Sequence, residues 1–315
     1  MQLEDQLRGE IRKLHYSIRT EEAYVLWYRQ FVRFHGLIHP ETMGAAEVEA
    51  FLTHLVKRGV SASTQNQALN ALVFLYRQVL KRELENIQAQ RAKTSRHLPV
   101  VLAVEEIKVL LAVMDGVEAL QAGLLYGCGL RVMELLRLRI KDVDLAGGKI
   151  EVRDGKGGKD RVVCLPGSAM AALQRQMERA KRVYEQDEMA NLSPVWLPDA
   201  YATKNPSAGK SWPWFWLFPA DKLATDPRSG TLRRHHSHEQ RLGRALSLAA
   251  KRAGLAKKVT AHTMRHSFAT HLLLRGVDIR SVQELLGHAD VRTTEIYTQL
   301  ARAMRGDIRS PLDDL

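Results

Sequence analysis

Two short stretches near the carboxyl end of the chain combine residue types that can bind a phosphate. In the first, His262 and Arg265 are three residues apart, so a helix would present both on one face, where they can reach the same phosphate. In the second, His288 follows Gly287, and Tyr297 lies in the next segment of helical pattern. Each of these residues alone is common in helices, but the combination predicts a site that acts on a phosphate group.

The same histidines also allow a metal interpretation. His262 and His266 are four residues apart, and His271 is close by. However, the glutamate of the His-Glu-x-x-His zinc motif is missing, and Arg265 between the two histidines would repel a cation. The sequence also contains neither a P-loop nor a pair of carboxylates suited to a metal ion. We therefore expect no metal and no cofactor.

Length and charge indicate two domains and a nucleic-acid partner. A chain of 315 residues is long for a single hydrophobic core. Its 47 Lys and Arg residues exceed its 35 Asp and Glu residues, which gives a formal net charge of +12. Such an excess is typical of proteins that bind phosphate backbones, although basic proteins of other classes share it.

Nothing in the sequence indicates export or a membrane span. The amino terminus is polar and lacks a signal-peptide pattern, and no apolar run is long enough to cross a bilayer. Cys128 and Cys164 lie in apolar surroundings, so we expect two buried, unreactive thiols in a reducing compartment. These features predict a soluble protein of the bacterial cytoplasm, associated with the nucleoid when it acts.

Residues 1–88 are predicted to form a helical domain. Thr20 is a plausible N-cap for a helix that ends near Gly36, and Ser61 to Thr64 can cap a later helix. Between them lies an apolar stripe at helical spacing, formed by Val48, Phe51, Leu52 and Leu55. The polar, basic stretch 89–97 has no such pattern and is predicted to be a linker.

Residues 98–315 are predicted to form a second domain that is mainly α with a small antiparallel β-sheet. Helical patterns near Val104–Met114, Val117–Leu125 and Arg131–Arg139 give way to a period of two around Ile150 and Val152. The Gly-rich stretch 154–159 and the β-branched residues that follow complete a hairpin. Helices are then predicted again, up to the carboxyl end.

A long segment at about 190–230 interrupts the helices of the second domain. It is rich in Pro, Gly and Ser and contains four of the five tryptophans. Long insertions of this kind are usually functional. If the segment is extended, the alternate spacing of Trp212, Trp214 and Trp216 points the three rings to one side.

Several of these stretches together resemble the tyrosine recombinases, the family of the lambda integrase and the Xer proteins. The matching motifs are Gly-Leu-Arg131, His262-x-x-Arg265-His266, Leu-Leu-Gly-His288 and Tyr297, in the order and with the gaps of the family. The amino-terminal helices match as well. The resemblance implies a site-specific DNA recombinase whose two domains form a C-shaped clamp around DNA.

The resemblance also assigns roles in strand cleavage. Tyr297 is the nucleophile, and because a tyrosine hydroxyl titrates near ~10 it needs a neutralised phosphate and a proton acceptor. Arg131 and Arg265 hold the phosphate oxygens, and His288 is a third donor. The product is a 3′-phosphotyrosine with a free 5′ hydroxyl, so rejoining needs no ATP. His266 is expected to be structural.

Three further assignments concern proton transfer and orientation. Lys156, in the predicted hairpin turn, is the general acid for the departing 5′ oxygen, with Lys159 in the same turn as the alternative. His262 assists proton transfer. Glu134 resembles the acidic residue that orients the catalytic groups of the family; alternatively, it is a surface carboxylate paired with Arg137.

The stretches 63–72 and 202–219 resemble a narrower group, the integron integrases. These enzymes join a duplex attI site to an attC cassette site folded from one DNA strand, whose unpaired bases protrude. Flat side chains can stack on such bases. The DNA-contacting candidates are Trp212, Trp214, Trp216, Arg233, Arg234, His235 and His236. The alternative is that two of the three tryptophans attach the insertion to the core, whereas the histidine pair is expected to be exposed.

The resemblance implies a homotetramer on two recombination sites, formed from free monomers. The segment Leu300–Leu315 is expected to pack into a neighbouring protomer, or alternatively to fold on its own domain. Three other functions remain open: a Xer-like or phage-type recombinase of duplex sites, an architectural DNA-binding protein without activity, and a type IB topoisomerase. The filled catalytic positions argue against the second, and the integrase-like amino-terminal helices argue against the third.

Overall fold

A computed structural model of the chain describes residues 3–84, 98–153 and 160–305. The chain divides into two compact units, Met1–His97 and Leu98–Leu315. The predicted linker, 89–97, lies outside the described residues. Within the described part, helices predominate and the strands are short and antiparallel, as the sequence predicts.

Over residues 3–84, the amino-terminal unit is a bundle of four helices. They are α1 (Leu3–Lys13), α2 (Ile18–Phe34), α3 (Ala45–Lys57) and α4 (Ala62–Phe74), the last of which continues as a π-turn over Leu75–Val79. Its core includes all four residues of the predicted apolar stripe. The spacing of apolar residues was sufficient to predict these core positions because each helix buries one face against its neighbours.

The predicted N-cap of α2 was wrong by three residues. Ser17, with extended backbone angles, is the cap, and its hydroxyl accepts a hydrogen bond from the Thr20 amide at 3.1 Å. Thr20 instead lies inside the first turn. Ser61 caps α4 in the same way, through the amide of Thr64. Both serines satisfy an amide at the N3 position that has no partner within its helix.

The carboxy-terminal unit contains nine helices and two small sheets in its described part. The helices are α5 (Val104–Ala112), α6 (Gly116–Cys128), α7 (Val132–Leu136), α8 (Met170–Met189), α9 (Asp199–Lys204), α10 (Glu239–Arg252), α11 (Ala261–Leu274), α12 (Ile279–Leu286) and α13 (Arg292–Arg305). The first sheet has the order β1 (Val143–Asp144), β2 (Lys149–Val152) and β3 (Arg161–Cys164). The second pairs β4 (Ala224–Thr225) with β5 (Leu232–Arg233).

The predicted hairpin is confirmed in its strands. β2 and β3 pair antiparallel, with Ile150 opposite Val163. Its turn, 154–159, lies outside the described residues, and so do both candidates for the general acid, Lys156 and Lys159. The hairpin is relevant to the site because Arg161, described below, is the first residue of β3 after that turn.

The tryptophan-rich segment is not extended, so the prediction of three rings on one side was wrong. Trp212–Trp214 form a 3-10 turn with Pro213 in its first turn, where proline is favoured. Trp216, only 2% exposed, joins the main core of the unit. The segment also contains α9 and a second 3-10 turn, Pro206–Lys210, so it is a folded part of the domain.

The two cysteines differ, contrary to the expectation that both are buried. Cys128 is buried, and burial raises the pKa of its thiol to about 12. Cys164 is exposed. The reason is the alternation of β3, which turns Val163 into the core and therefore turns the next residue outward. In the described part of the chain, no helix is both long and apolar enough for a membrane span.

The difference between the thiols gives a direct test of the fold. In the native protein a disulfide-exchange reagent should label one thiol, that of Cys164, while Cys128 reacts only after unfolding, because the thiolate is the reactive form. The measurement is mass-spectrometric mapping of labelled peptides with and without denaturant. A Cys164→Ser variant should lose the rapid phase; rapid labelling of Cys128 would contradict this packing.

Candidate active site

The site begins where two helices meet at a tight corner. α6 ends at Gly129, which has a left-handed φ of 62°, and Arg131 is the N-cap of α7. A Cβ on Gly129 would lie 2.4 Å from the ring of Phe268 in α11. Glycine is therefore required both by conformation and by the close approach of α11. This corner places Arg131 beside the helix that carries His262 and Arg265.

Glu134 is the centre of the charge network. Its carboxylate accepts hydrogen bonds from the Arg131 amide (2.8 Å) and from the Arg131 guanidinium (2.6 Å). Arg161 binds the same carboxylate with two bonds of 3.0 and 2.6 Å. A third arginine, Arg265, lies 3.8 Å from it. The Glu134 side chain is 8% exposed, so the alternative of a surface carboxylate is wrong.

Arg161 and Arg131 keep Glu134 ionised. Burial raises its pKa, but the hydrogen bonds from Arg161 and Arg131 outweigh burial and lower the pKa to about 2. A permanently charged carboxylate can therefore fix the orientation of Arg131 at any physiological pH. This contact geometry is that of an orienting residue.

Arg161 has no counterpart among the residues singled out from the sequence. It is the first residue of β3, and its side chain is 9% exposed. Its Nε donates to the Leu285 carbonyl at 2.8 Å, and its guanidinium lies against Gly287, where a Cβ would be 3.1 Å from Nη1. The sequence could have predicted its burial, because Arg161 and Val163 are two residues apart on a strand and therefore face the same side, where Val163 is in the core.

The turn after α12 positions His288. Gly287 is the C-cap with φ 62°, and its carbonyl accepts from Arg131 at 3.1 Å. His288 Nε2 lies 3.2 Å from the Arg265 guanidinium, and its Nδ1 lies 3.0 Å from the Thr294 hydroxyl. Because arginine only donates, Nε2 accepts, and in a neutral ring Nδ1 must carry the proton. Burial, and then the nearby arginines, lower the His288 pKa to about 4.

Arg265 is held by the main chain of two segments. It is 3% exposed and donates to the carbonyls of Gly129 and Leu286. Burial, followed by repulsion from Arg131, lowers its pKa to about 9. At neutral pH Arg265 is still a cation, so it can bind a phosphate together with Arg131.

Tyr297 lies on α13, against α11. It is 3% exposed, and its hydroxyl is 2.8 Å from Nδ1 of His266. Burial raises its pKa, while Arg265 and Arg131 act in the opposite direction. Its ring is roughly parallel to that of His288, at a centroid distance of 6.3 Å.

His262 is exposed and stacks on His266 at a centroid distance of 6.1 Å. Through these contacts, five of the six predicted catalytic residues lie in one connected cluster; the sixth, Lys156, is outside the described residues.

The insertion is attached to the domain through Arg139. This buried arginine donates to the carbonyls of Trp214 and Trp196, and its guanidinium lies 3.1 Å from the ring centroid of Trp216. Trp212 packs against Phe215 and the core. Trp212 and Trp216 are therefore packing residues, as the alternative for two of the three tryptophans proposed.

The expectation of an exposed basic pair at His235 and His236 was wrong. Both are half-buried, and burial lowers the pKa of His236 to about 4, so it is neutral. His236 packs edge-on against Trp216 because the chain after β5 turns back onto the core. Arg234 makes two hydrogen bonds to Asp187. Arg233, half-buried as well, lies 3.8 Å from Asp226.

An open cavity of about 300 Å³ lies between the insertion and Arg131. Trp196 and Trp214 line it together with Arg137, Lys141 and Arg153. The Lys141 ammonium is 3.8 Å from the centroid of Trp214, a cation–π contact. Trp196, 37% exposed, was not among the predicted candidates. Within the described residues, no group of three or more His, Cys, Asp or Glu side chains is suited to a metal ion.

The Arg161–Glu134 pair predicts a pH-dependent stability. Arg161→Met leaves a buried carboxylate short of its main partner, so the free energy of unfolding at pH 7 should fall by about 3 kcal/mol. Because the folded-state pKa of Glu134 is depressed, this stabilisation is complete above its unfolded value of 4.5 and is lost as the pH falls towards 2. Urea unfolding of wild type, Arg161→Met and Arg161→Lys at pH 7 and at pH 4 measures it. A difference that stays constant between the two pH values would contradict the assignment.

Comparisons with known proteins identify the family of the chain. The phage integrase family model matches residues 101–304, and the model of the phage integrase N-terminal SAM-like domain matches residues 3–86. Proteins described as integrase/recombinase from Escherichia coli and Pseudomonas aeruginosa are each 52% identical over 313 residues, which is 99% of this chain and 93% of theirs. The tyrosine recombinase XerA of Thermococcus kodakarensis is 35% identical over 290 residues, covering 90% of this chain and 86% of its own.

Solved structures share the fold. The XerH site-specific recombinase bound to difH substrate, in a pre-cleavage complex, has a TM-score of 0.61 at 23% identity, covering 96% of this chain and 83% of its own. The Tn1549 transposon integrase in complex with transposon right end DNA also has a TM-score of 0.61, at 18% identity, covering 98% of this chain and 100% of its own. With both domains matched and relatives above 30% identity along most of its length, the chain belongs to the phage integrase family and is a site-specific tyrosine recombinase.

Proposed function

We propose that this recombinase is an integron integrase, which integrates and excises gene cassettes between a duplex attI site and an attC site folded from one DNA strand. It acts in the bacterial cytoplasm, on the nucleoid. The resemblance of stretches 63–72 and 202–219 to that subgroup supports the proposal. The observation that carries it is the partly exposed pair Trp196 and Trp214, which lines a cationic cavity that also reaches Arg131.

Strand cleavage follows from the cluster of catalytic residues. Arg131 and Arg265 bind the non-bridging oxygens of the scissile phosphate and neutralise it for attack by the Tyr297 hydroxyl. The bound phosphate adds negative charge beside His288, which raises the pKa of the imidazole and favours the protonated form that can donate. Glu134 keeps Arg131 oriented throughout.

The leaving group requires a proton. We assign Lys156 as the general acid for the 5′ oxygen, with Lys159 as the alternative, and His262 as a residue that assists proton transfer. The free energy of the broken bond is retained in the 3′-phosphotyrosine ester. Rejoining by the 5′ hydroxyl of another strand therefore requires neither ATP nor a metal ion.

Recognition of the folded strand is assigned to the cavity beside Arg131. An unpaired base has two flat faces, and stacking on an aromatic side chain contributes ~1–3 kcal/mol per base. Arg137 and Arg153 line the same cavity, so a base and its phosphate can be bound together. We assign Arg233, Arg234, His235 and His236 a supporting role. His236 packs against Trp216, which also lines the cavity, and Arg234 pairs with Asp187 of α8.

The active assembly is a homotetramer on two sites, formed from free monomers. α13 packs on its own domain as far as Ala301, and residues 306–315 lie outside the described part. A cavity of about 410 Å³ between α11 and the later helices is lined by Leu273, Val277 and Ile279, among others. This apolar lining supports docking of a carboxy-terminal segment from the next protomer.

The chemistry can be tested with nicked suicide substrates, which trap the covalent intermediate. Wild type should form a protein–DNA adduct, and Tyr297→Phe should form none while still binding DNA in a gel-shift assay. The adduct should be strongest on a folded single-stranded cassette site. A stronger adduct on the duplex form of that site would favour the second candidate, a Xer-like recombinase of duplex DNA, for which the 35% identity to a XerA protein provides support.

Base stacking can be tested separately on the same substrates. Trp196→Ala should slow adduct formation on the folded strand by about 10-fold or more, and leave cleavage of a duplex attI site within about 2-fold. Trp196→Phe keeps an aromatic face and serves as the matched control. Trp214 stacks on Tyr201 and carries Lys141 over its ring, so Trp214→Ala should instead lower activity on both substrates. Equal losses on both substrates for Trp196→Ala would show that this ring also supports the domain and does not read bases.

A further inference from the structure

The hydroxyl of Tyr297 makes a single close contact with another side chain in the described part of the chain. It lies 2.8 Å from Nδ1 of His266, which is a full hydrogen bond and within the range required of a general base. The two residues are on packed helices, α11 and α13, and their ring centroids are 5.5 Å apart. His266 is therefore in direct contact with the atom that must lose a proton.

We propose that His266 is the proton acceptor for Tyr297 in strand cleavage and returns the proton in strand joining. The inference rests on the role of Tyr297 as nucleophile, which is part of the proposed function. It departs from the expectation that His266 is structural. It also distinguishes the two histidines of α11, because the Tyr297 hydroxyl contacts His266 in the described structure.

The hydrogen-bond pattern of the site leaves His266 as the available imidazole. Both nitrogens of His288 are occupied, one by Arg265 and the other by Thr294. His262 is exposed and contacts His266 by ring stacking. Arg131 and Arg265 have no lone pair to offer. Of the groups that surround the phenol in the described structure, only His266 can accept its proton.

His266 is neutral and can accept a proton, and its low pKa requires the bound phosphate anion to raise its basicity for full transfer. Burial, followed by the charges of His262 and Arg265, lowers its pKa to about 4. The ring is therefore neutral at physiological pH and has one nitrogen free to accept. With the proton on Nε2, Nδ1 accepts the hydrogen bond that the Tyr297 hydroxyl donates.

The step balances in both directions. In cleavage, Oη of Tyr297 forms a bond to phosphorus as its proton moves to Nδ1 of His266. The P–O5′ bond breaks, and the general acid supplies the proton to the 5′ oxygen. In joining, the 5′ hydroxyl attacks, the tyrosine oxygen leaves, and His266 gives the proton back. The nearby phosphate anion stabilises the imidazolium while it exists.

The test combines changes in the base with changes in the acidity of the nucleophile. His266→Asn places an amide oxygen near the position of Nδ1, so the hydrogen bond can persist without a basic group. His266→Phe keeps the ring but has no acceptor. Each variant would be made twice, once with tyrosine at position 297 and once with 2,3,5-trifluorotyrosine, which is a more acidic phenol. The rate of each variant is compared with that of the protein that keeps His266 and carries the same phenol. The measurement is the rate of adduct formation on a nicked suicide substrate.

With tyrosine, both variants should be slower by about 10²-fold or more, the usual contribution of a general base. With the acidic phenol, this defect should shrink to about 10-fold or less, because less proton transfer is needed. Arg131→Lys is the control, since a defect in phosphate binding should not be relieved by the acidic phenol.

Two results would overturn the proposal. One is full activity of His266→Asn with ordinary tyrosine, which would assign the residue a positioning role only. The other is a defect of the same size with both phenols. If His266→Phe does not fold, His266→Asn alone decides. If the wild-type protein forms no adduct through Tyr297, the proposed function itself is contradicted. The wild-type reaction in the same experiment distinguishes this outcome from a failure of the His266 proposal.

Discussion

The active site depends on one buried carboxylate. Three arginines lie within 4 Å of Glu134, and without its negative charge their mutual repulsion would separate the segments that carry them. These segments are the corner before α7, the start of β3 and the first turns of α11. Buried ion pairs contribute little net stability when compared with apolar packing, but breaking one is costly. The contacts of Glu134 therefore fix the relative positions of these arginines.

This network explains why the proposed catalytic residues, from distant parts of the sequence, converge. Arg131 binds Glu134 and the carbonyl of Gly287, and Arg161 binds Glu134 and the carbonyl of Leu285. The turn that carries His288 is thereby joined to both. Tyr297, in contrast, is positioned mainly by apolar packing of α13 on α11 and by its bond to His266. The half of the site proposed to bind phosphate is thus held by charge, and the half that carries the proposed nucleophile is held by packing.

Much of this was predictable from the sequence. Apolar periodicity located the helices, and the segment with His262 and Arg265 is helical as predicted. What failed depended on tertiary contacts that a linear pattern does not contain. The tryptophans of the insertion alternate like a strand, but Pro213 and the buried guanidinium of Arg139 favour a compact turn. The His235–His236 pair has a polar composition, yet the chain returns there to the core. Arg161 was missed because an arginine at the edge of a strand usually faces solvent.

The main-chain contacts of Arg265 have a consequence for sequence divergence. Its guanidinium binds the carbonyls of Gly129 and Leu286, and every amino acid supplies a carbonyl whatever its side chain. The neighbours of these positions can therefore change without removing a ligand of the arginine, provided that the backbone path is kept. Glycine at 129 and 287 preserves that path. In a deep mutational scan, tolerance should therefore follow backbone conformation more closely than residue polarity around this arginine.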